Sequence, residues 1–196
     1  VQTLVNAINN KLGNYENTMS LSNPSYLKQG NDVDVAALIE EMNAGKIDAL
    51  ITYNVNPSYT LQNAEAYNSG LAKVGLTIAT SLYNDESAKK MMYACPDNHY
   101  LESWGDANPS NGVYTLMQPT ISPLFKGRQF QESLMVWVGK SDYHTYLQNT
   151  YSSIDWNKSV HDGYFIQNQS AATVSSFAAS VPSFDLVKAD GIEFEM

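Results

Sequence analysis

Cysteine is nearly absent from this chain: Cys95 is the only one in 196 residues. That excludes a disulfide within the chain. It also excludes an iron–sulfur cluster or thiolate zinc site built from this chain alone, since each needs several thiolates. Scarce cysteine suits cytosol and periplasm alike and leaves the compartment open. Basic residues are few as well, 11 Lys and Arg against 20 Asp and Glu, for a formal net charge of −9. Phosphate backbones and anionic bilayers need a basic face, so a nucleic-acid partner and a membrane surface are disfavoured. No apolar run comes near the roughly 18 to 20 residues of a membrane span, so direct membrane insertion is not expected. A signal peptide and an initiator Met are missing, and the chain opens at Val1 in what reads as mid-helix. The expectation is a domain cut from a longer protein, without a complete active site of its own.

The usual signs of catalysis are missing too. Gly-x-Ser-x-Gly does not occur, so no hydrolase elbow is present. Cys95 lies between Ala94 and Pro96 at the end of an apolar run, where a buried structural thiol is expected rather than a nucleophile paired with histidine. His99, His144 and His161 are scattered, with no His-x-x-x-His and no Glu-x-x-His. No catalytic residue and no metal ligand is therefore assigned. His99 and Glu102 form an i, i+3 pair with Asp106 nearby, which is either a carboxylate–histidine cluster or, more plainly, a hydrogen-bonded loop. Glu40 and Glu41 read as a solvated helix face. The turn over residues 53–60 occupies the place of a phosphate-binding loop but has no glycine and no basic residue.

What is present is a core and an order of elements. Hydrophobic residues make up 43% and charged residues only 16%, a balance that supports a folded domain rather than disorder. Val35, Ala36, Leu38, Ile39 and Met42 recur at helical spacing after Asp32 or Asp34 as cap, and Gly45 ends the run. Residues 47–53 (IDALITY) read as a buried strand, 61–73 as a helix, 76–82 (LTIATSL) as a strand and 86–92 as a short helix. This alternation predicts an α/β fold, a mainly parallel sheet flanked by helices, with the two strands adjacent and central. Upstream, residues 1–12 read as an amphipathic helix closed by Gly13, and 18–21 as a strand. Downstream, 96–112 reads as a loop, 113–117 as a strand, and 130–138 and 143–154 as helices broken at Gly139. The tail offers a small-residue stretch, 170–180, and a last strand near 184–187. Asn23-Pro24-Ser25-Tyr26 returns as Asn56-Pro57-Ser58-Tyr59. With no third copy, two Asn-Pro turns in an α/β sheet account for this better than an ankyrin-like repeat. The domain expectation is an α/β domain over 1–140 and a helical, irregular extension of it over 141–196.

Ile51 to Pro57 (ITYNVNP), a helix, a strand, and then Asp85-Glu86-Ser87-Ala88 together resemble a stretch of the molybdopterin oxidoreductases. There a strand ends in Gly-x-Asn-Pro and the next leads into an acidic-threonine segment; here Asn54 stands in the glycine's place. More specific blocks follow: 95–106 (CPDNHYLESWGD), 118–125 (QPTISPLF), 128–134 (RQFQESL), and His161-Asp162-Gly163 after Trp156. These are similar to the molybdopterin-oxidoreductase-like iron–sulfur subunit of bacterial alternative complex III, a Tat-variant-translocated branch, over roughly residues 20 to 165. The resemblance implies a Rossmann-like oxidoreductase domain without chemistry of its own. Its iron–sulfur clusters would sit in a separate ferredoxin-like domain, its molybdopterin is doubtful, and its location is periplasmic.

Three functions follow as expectations. The first is a non-catalytic structural domain of a quinol-oxidising respiratory complex, docking the ferredoxin-like iron–sulfur domain and other subunits through Tyr100, Leu101 and Trp104. The second is a molybdopterin-dinucleotide-binding domain, with Asn54, Asn56, Pro57 and His99 touching the cofactor. The third is an independent periplasmic solute-binding module. In the 97–106 segment, aromatics are expected to fold partly onto the core while His99, Glu102 and Asp106 face outward.

Overall fold

A computed structural model describes residues 2–15, 17–21, 23–140, 142–167 and 177–180. The chain divides into two units, Val1–Ser25 with Gln169–Met196, and Tyr26–Asn168. In the first, α1 (Gln2–Lys11) forms as its periodicity predicts and buries none of its residues. Gly13 follows at φ 67°, a left-handed conformation that glycine adopts without a Cβ clash. The strand expected over 18–21 is reduced to a single bridge between Tyr15 and Met19. The strand expected near 184–187 lies outside the described residues, as does all of 170–180 except 177–180.

The second unit holds the α/β region. Asn31, and neither aspartate after it, caps α2 (Asp32–Asn43): its side chain accepts from the Val33 amide at 3.1 Å. Then come β1 (Ala49–Tyr53), a single turn α3 (Pro57–Thr60), α4 (Ala64–Leu71) and β2 (Leu76–Ser81). A 3-10 turn at Ala88–Lys90 replaces the short helix expected over 86–92 and leads into β3 (Tyr93–Pro96). The helix expected over 61–73 is found shortened as α4, since its cap is Asn63, and the turn before it forms the separate α3, started by Asn56.

β1, β2 and β3 form a parallel sheet in that order, with Ile51 opposite Ile78 and Ile78 opposite Tyr93. The two predicted strands are therefore parallel neighbours. β1, however, is an edge strand and not a central one, and only Thr52 in it is buried. The core lies on one face of this sheet. Met42 (0% exposed), Tyr67, Leu71, Val74, Ala79, Ala88 and Met91 make it, with Leu38, Ile39 and Leu50 packed against it. Asn43 joins the two helices there, donating through Nδ2 to the carbonyls of Ile39 and Ala66, both at 2.9 Å. Gly70 lets them approach: a Cβ at that position would lie 2.9 Å from the Met42 Cβ.

The region expected as a loop over 96–112 contains a strand. β4 (Gly105–Ser110), β5 (Val113–Met117) and β6 (Tyr164–Ile166) form a second, antiparallel sheet. Its composition hides β4, since Asn108-Pro109-Ser110 reads as a turn. The pairing shifts register between Ala107 and Ser110, and such irregularities tolerate proline. Asn108 closes the hairpin, donating to the carbonyls of Ser110 (2.8 Å) and Val113 (2.7 Å). Between β5 and β6 lie α5 (Phe130–Trp137), α6 (Tyr143–Thr150) and α7 (Trp156–Asp162). Gly139 at φ 64° ends the first, Asp142 and Asp155 cap the other two, and Gly163 at φ 77° turns the chain into β6.

Met42→Ala should cost about 2–5 kcal/mol, because it opens a cavity where both helices and the sheet meet. Met42→Leu, which keeps the volume, should cost under about 1.5 kcal/mol. Chemical denaturation of the two variants checks the pair.

Candidate functional site

At the carboxyl end of β1 the chain turns through Asn54 at φ 53°, the only non-glycine at positive φ among the described residues. Asparagine tolerates this conformation better than most residues, which is how it can stand where the resembled family has glycine. The Asn54 amide donates to the Thr80 carbonyl at 2.9 Å, so the turn stays tied to β2. Pro57 takes the first position of α3, where its missing N–H costs nothing.

Asn56 is the centre of the turn. Its Oδ1 accepts from Ser87 Oγ at 2.7 Å and from the Ser87 amide at 3.2 Å. Its Nδ2 donates to Glu86 Oε2 at 2.6 Å. Ser87 Oγ, 1% exposed as a residue, in turn accepts from the Ser58 amide at 2.9 Å. Ser58 Oγ donates to Asn68 Oδ1 at 2.7 Å, and Asp85 Oδ1 accepts from the amides of Ser87 and Ala88. The two segments that carry the broader resemblance, 51–57 and 85–88, are thus one hydrogen-bonded unit. Glu86 is held below the ordinary carboxylate range, first by the Asn56 bond and less by Lys89 and Lys90.

This arrangement does not fit a pterin phosphate. The side-chain amide of Asn56 is bonded at both ends, and the charge nearest to it is the Glu86 carboxylate, which repels an anion, with Lys89 and Lys90 acting more weakly in the opposite sense. Asn54, Asn56 and Pro57 do lie together on the turn. His99 belongs to another network. Its Nδ1 accepts from the Leu101 amide at 3.3 Å, while Glu102 accepts from the His99 amide (2.9 Å) and the Leu124 amide (2.9 Å). The His99–Glu102 pair is therefore a capping box, and those two amide bonds hold the Glu102 carboxyl below its ordinary range. Among the described residues, no group of three His, Cys, Asp or Glu side chains is placed to hold a metal ion.

Two placements correct the sequence reading. Cys95 is exposed rather than buried, because β3 is an edge strand whose four residues are all exposed. Asp106 does not simply face outward: it accepts from Tyr143 Oη at 2.9 Å and Tyr151 Oη at 2.5 Å. Burial, and then Asp106, push both phenols well above the ordinary tyrosine range. Trp104 is half-buried and stacks on His144, with ring centroids 4.1 Å apart, beside Trp156 at 6.0 Å. Buried Gln129 donates to the Trp104 carbonyl at 2.6 Å. Tyr100 (61% exposed) and Leu101 (37%) point to solvent. The partners 85–88, Tyr143, Tyr151 and His144 are distant in sequence, and only the quoted Asp85 to Ala88 segment was a signal for any of them.

The architecture is a mixed α/β fold with a parallel three-stranded sheet flanked by helices. No protein-family model matches the chain. Over 96 residues, 47% of the chain, it is 31% identical to the menaquinone reductase, molybdopterin-binding-like subunit of Nitratidesulfovibrio vulgaris (strain Hildenborough). The match spans 14% of that subunit. Among solved structures, acetylene hydratase from Pelobacter acetylenicus shares the fold with a TM-score of 0.59 at 15% identity. That likeness covers 68% of this chain and 20% of the hydratase. The chain is thus distantly related to a molybdopterin-binding-like subunit.

Asn56→Ala should cost about 1–3 kcal/mol, since it leaves buried Ser87 short of a partner. Asn54→Gly should fold with no loss, glycine being at ease at this φ. Because the folded Glu86 and Glu102 carboxyls are depressed, the stability they contribute is present above the unfolded value. It is lost as pH falls through the lowered folded value. Glu86→Gln should therefore flatten part of the acid limb in a pH series of melting temperatures.

Proposed function

We propose that this chain is the α/β domain of a molybdopterin-oxidoreductase-like iron–sulfur subunit of a quinol-oxidising respiratory complex. In that role it is a scaffold that holds neighbouring domains and carries no pterin or cluster of its own. The observation that carries this is the Asn56–Ser87–Glu86 lock, which occupies both ends of the Asn56 side chain and sets a carboxylate beside it. The relative's name, a menaquinone reductase subunit that is molybdopterin-binding-like, supports a respiratory setting with other subunits as partners. Membership of the alternative complex III branch and a periplasmic location rest on the sequence blocks at 95–106, 118–125 and 128–134.

The docking surface centres on Tyr100 and Leu101. The Leu101 carbonyl accepts from the amides of Thr120 (2.8 Å) and Ile121 (3.1 Å), which brings the 118–125 block alongside. Leu124 (71% exposed) and Phe125 (84%) then extend an apolar patch suited to a neighbouring domain. Trp104 serves beneath this surface as packing. The second reading, a pterin-binding domain, draws on the same relative's name and would need the turn at 53–60 to open.

Two measurements test the proposal. The whole subunit, purified and dialysed, should contain iron but no stoichiometric molybdenum by elemental analysis; one molybdenum per subunit would overturn the scaffold reading and favour the second. The Tyr100→Ala, Phe125→Ala double variant should leave the melting temperature within a degree or two while weakening assembly. Trp104→Ala should instead lose about 3 kcal/mol of stability, the lower end for an aromatic truncation, since it is only half-buried.

A further inference from the structure

The parallel sheet has two faces, and they differ. Alternation puts Leu50, Thr52 and Ala79 on the face covered by α2 and α4, and Ile51, Tyr53, Ile78, Tyr93 and Cys95 on the other. This second face is only partly covered. Phe130 of α5 stacks on Tyr53 with centroids 4.8 Å apart, yet Ile51 stays 43% exposed, Tyr93 54% and Trp137 51%. Between α5 and β3 runs a groove of about 550 Å³, walled by Ile78, Tyr93, Ala94 and Trp137. Parallel sheets occur almost only with both faces covered, so this face lacks its cover.

The rim of the groove is built. Gly127 packs against the end of β3 so closely that a Cβ would lie 2.8 Å from Asn98 Oδ1 and 3.2 Å from the Pro96 carbonyl. On either side of it stand Lys126 and Arg128, which also line the groove. Two bonds pin this strap: the Phe130 amide donates to Asp97 Oδ1 at 2.9 Å, and Arg128 Nε to Ser133 Oγ at 3.1 Å. Among the described residues only Lys158 of the lysines and arginines pairs with a carboxylate, so what sets Lys126 and Arg128 apart is that both stand beside an apolar groove, in a chain of net charge −9.

We propose that this groove seats an amphipathic helix with acidic residues along its edge, supplied by another part of the same longer polypeptide. Its apolar stripe covers Ile78, Tyr93 and Trp137, and its carboxylates pair with Lys126 and Arg128. A helix fits better than an added strand. β3 is only four residues long and ends in Pro96, which has no N–H to donate, so strand addition there gains few bonds. The same polypeptide is the natural source because this chain matches only 14% of the subunit it is related to and 20% of the hydratase. The inference rests on the chain being part of a longer subunit; it does not depend on whether that subunit holds a pterin.

Cys95 lies in the groove and reports on it. In the whole subunit, N-ethylmaleimide should alkylate Cys95 at least about tenfold more slowly in the native state than in urea, followed on the Cys95 peptide by mass spectrometry. Lys126→Glu with Arg128→Glu should restore much of the rate by repelling the acidic helix. Tyr93 replaced by p-benzoylphenylalanine should photo-cross-link to an acidic amphipathic helix of the same polypeptide outside these residues. A Cys95 that alkylates at the unfolded rate overturns the proposal. So does a cross-link to a second copy, to a different polypeptide or to an extended strand. Molybdenum content is a separate readout and decides only the scaffold reading.

Discussion

The loops that leave β1 and β2 at the carboxyl end of the parallel sheet depend on one side-chain amide. Parallel strands cannot be joined by a tight turn, so beyond the ladder and the Asn54 amide bond to Thr80 the ends of β1 and β2 are set by what bridges their outgoing loops. Asn56 makes that bridge to Ser87, 31 residues away, and Ser87 passes it on to the Ser58 amide. The first turn of α3 is fixed by the same residue, whose carbonyl accepts from the amides of Tyr59 and Thr60. From there Ser58 reaches Asn68 and so sets α4 against the turn. Ser87 is almost fully buried, and a buried polar group must find its partners; this is what gives the network its rigidity.

The second sheet is organised differently. Its helices are held by Asp106, which receives phenols from Tyr143 and Tyr151, 37 and 45 residues further on. Aromatic packing surrounds that contact: Tyr114 stacks on Phe165 with centroids 5.1 Å apart, and Tyr151 meets Phe165 edge-on at 5.0 Å. One side chain accepting two phenol hydroxyls ties both tyrosines to a single point of β4. The thirteen tyrosines, uninformative as a count, thus include two that anchor α6 and the turn after it to β4.

Where the sequence was legible, it was so because a local period or a local breaker decided the outcome. α2, β1, β2 and the break at Gly139 depend on helical spacing, β-branched runs and positive-φ glycines. What could not be read depends on pairing across the chain. β4 is written in turn residues and becomes a strand only because β5 lies beside it. β6 is three residues long and follows a seven-residue helix, too short for either period to show. Cys95 follows the same logic: an apolar run suggested burial, but burial depends on whether another strand flanks β3. The candidate turn and its lack of glycine and basic residues were read from sequence, while the bond from Asn56 to Glu86 was not visible there.

Charge gives the last step. An acidic chain is expected to spread its few cations for solubility, and among the described residues Lys158 is the one lysine or arginine paired with a carboxylate, Asp162 on the exposed side of α7. Such a pair on a solvated helix contributes little. Lys126 and Arg128 differ in being held on a strap whose glycine cannot be enlarged without meeting the end of β3. Fixing a long cationic side chain costs conformational entropy, and Arg128 is restrained by its bond to Ser133. No carboxylate among the described residues offsets that cost, and the apolar wall beside it, Tyr93 and Trp137, is also left in water. Two cations, one of them held by a side-chain bond, and wetted aromatics coincide at one groove. A single occupant that brings both carboxylates and apolar surface relieves them together, which a purely apolar or a purely anionic partner would not do.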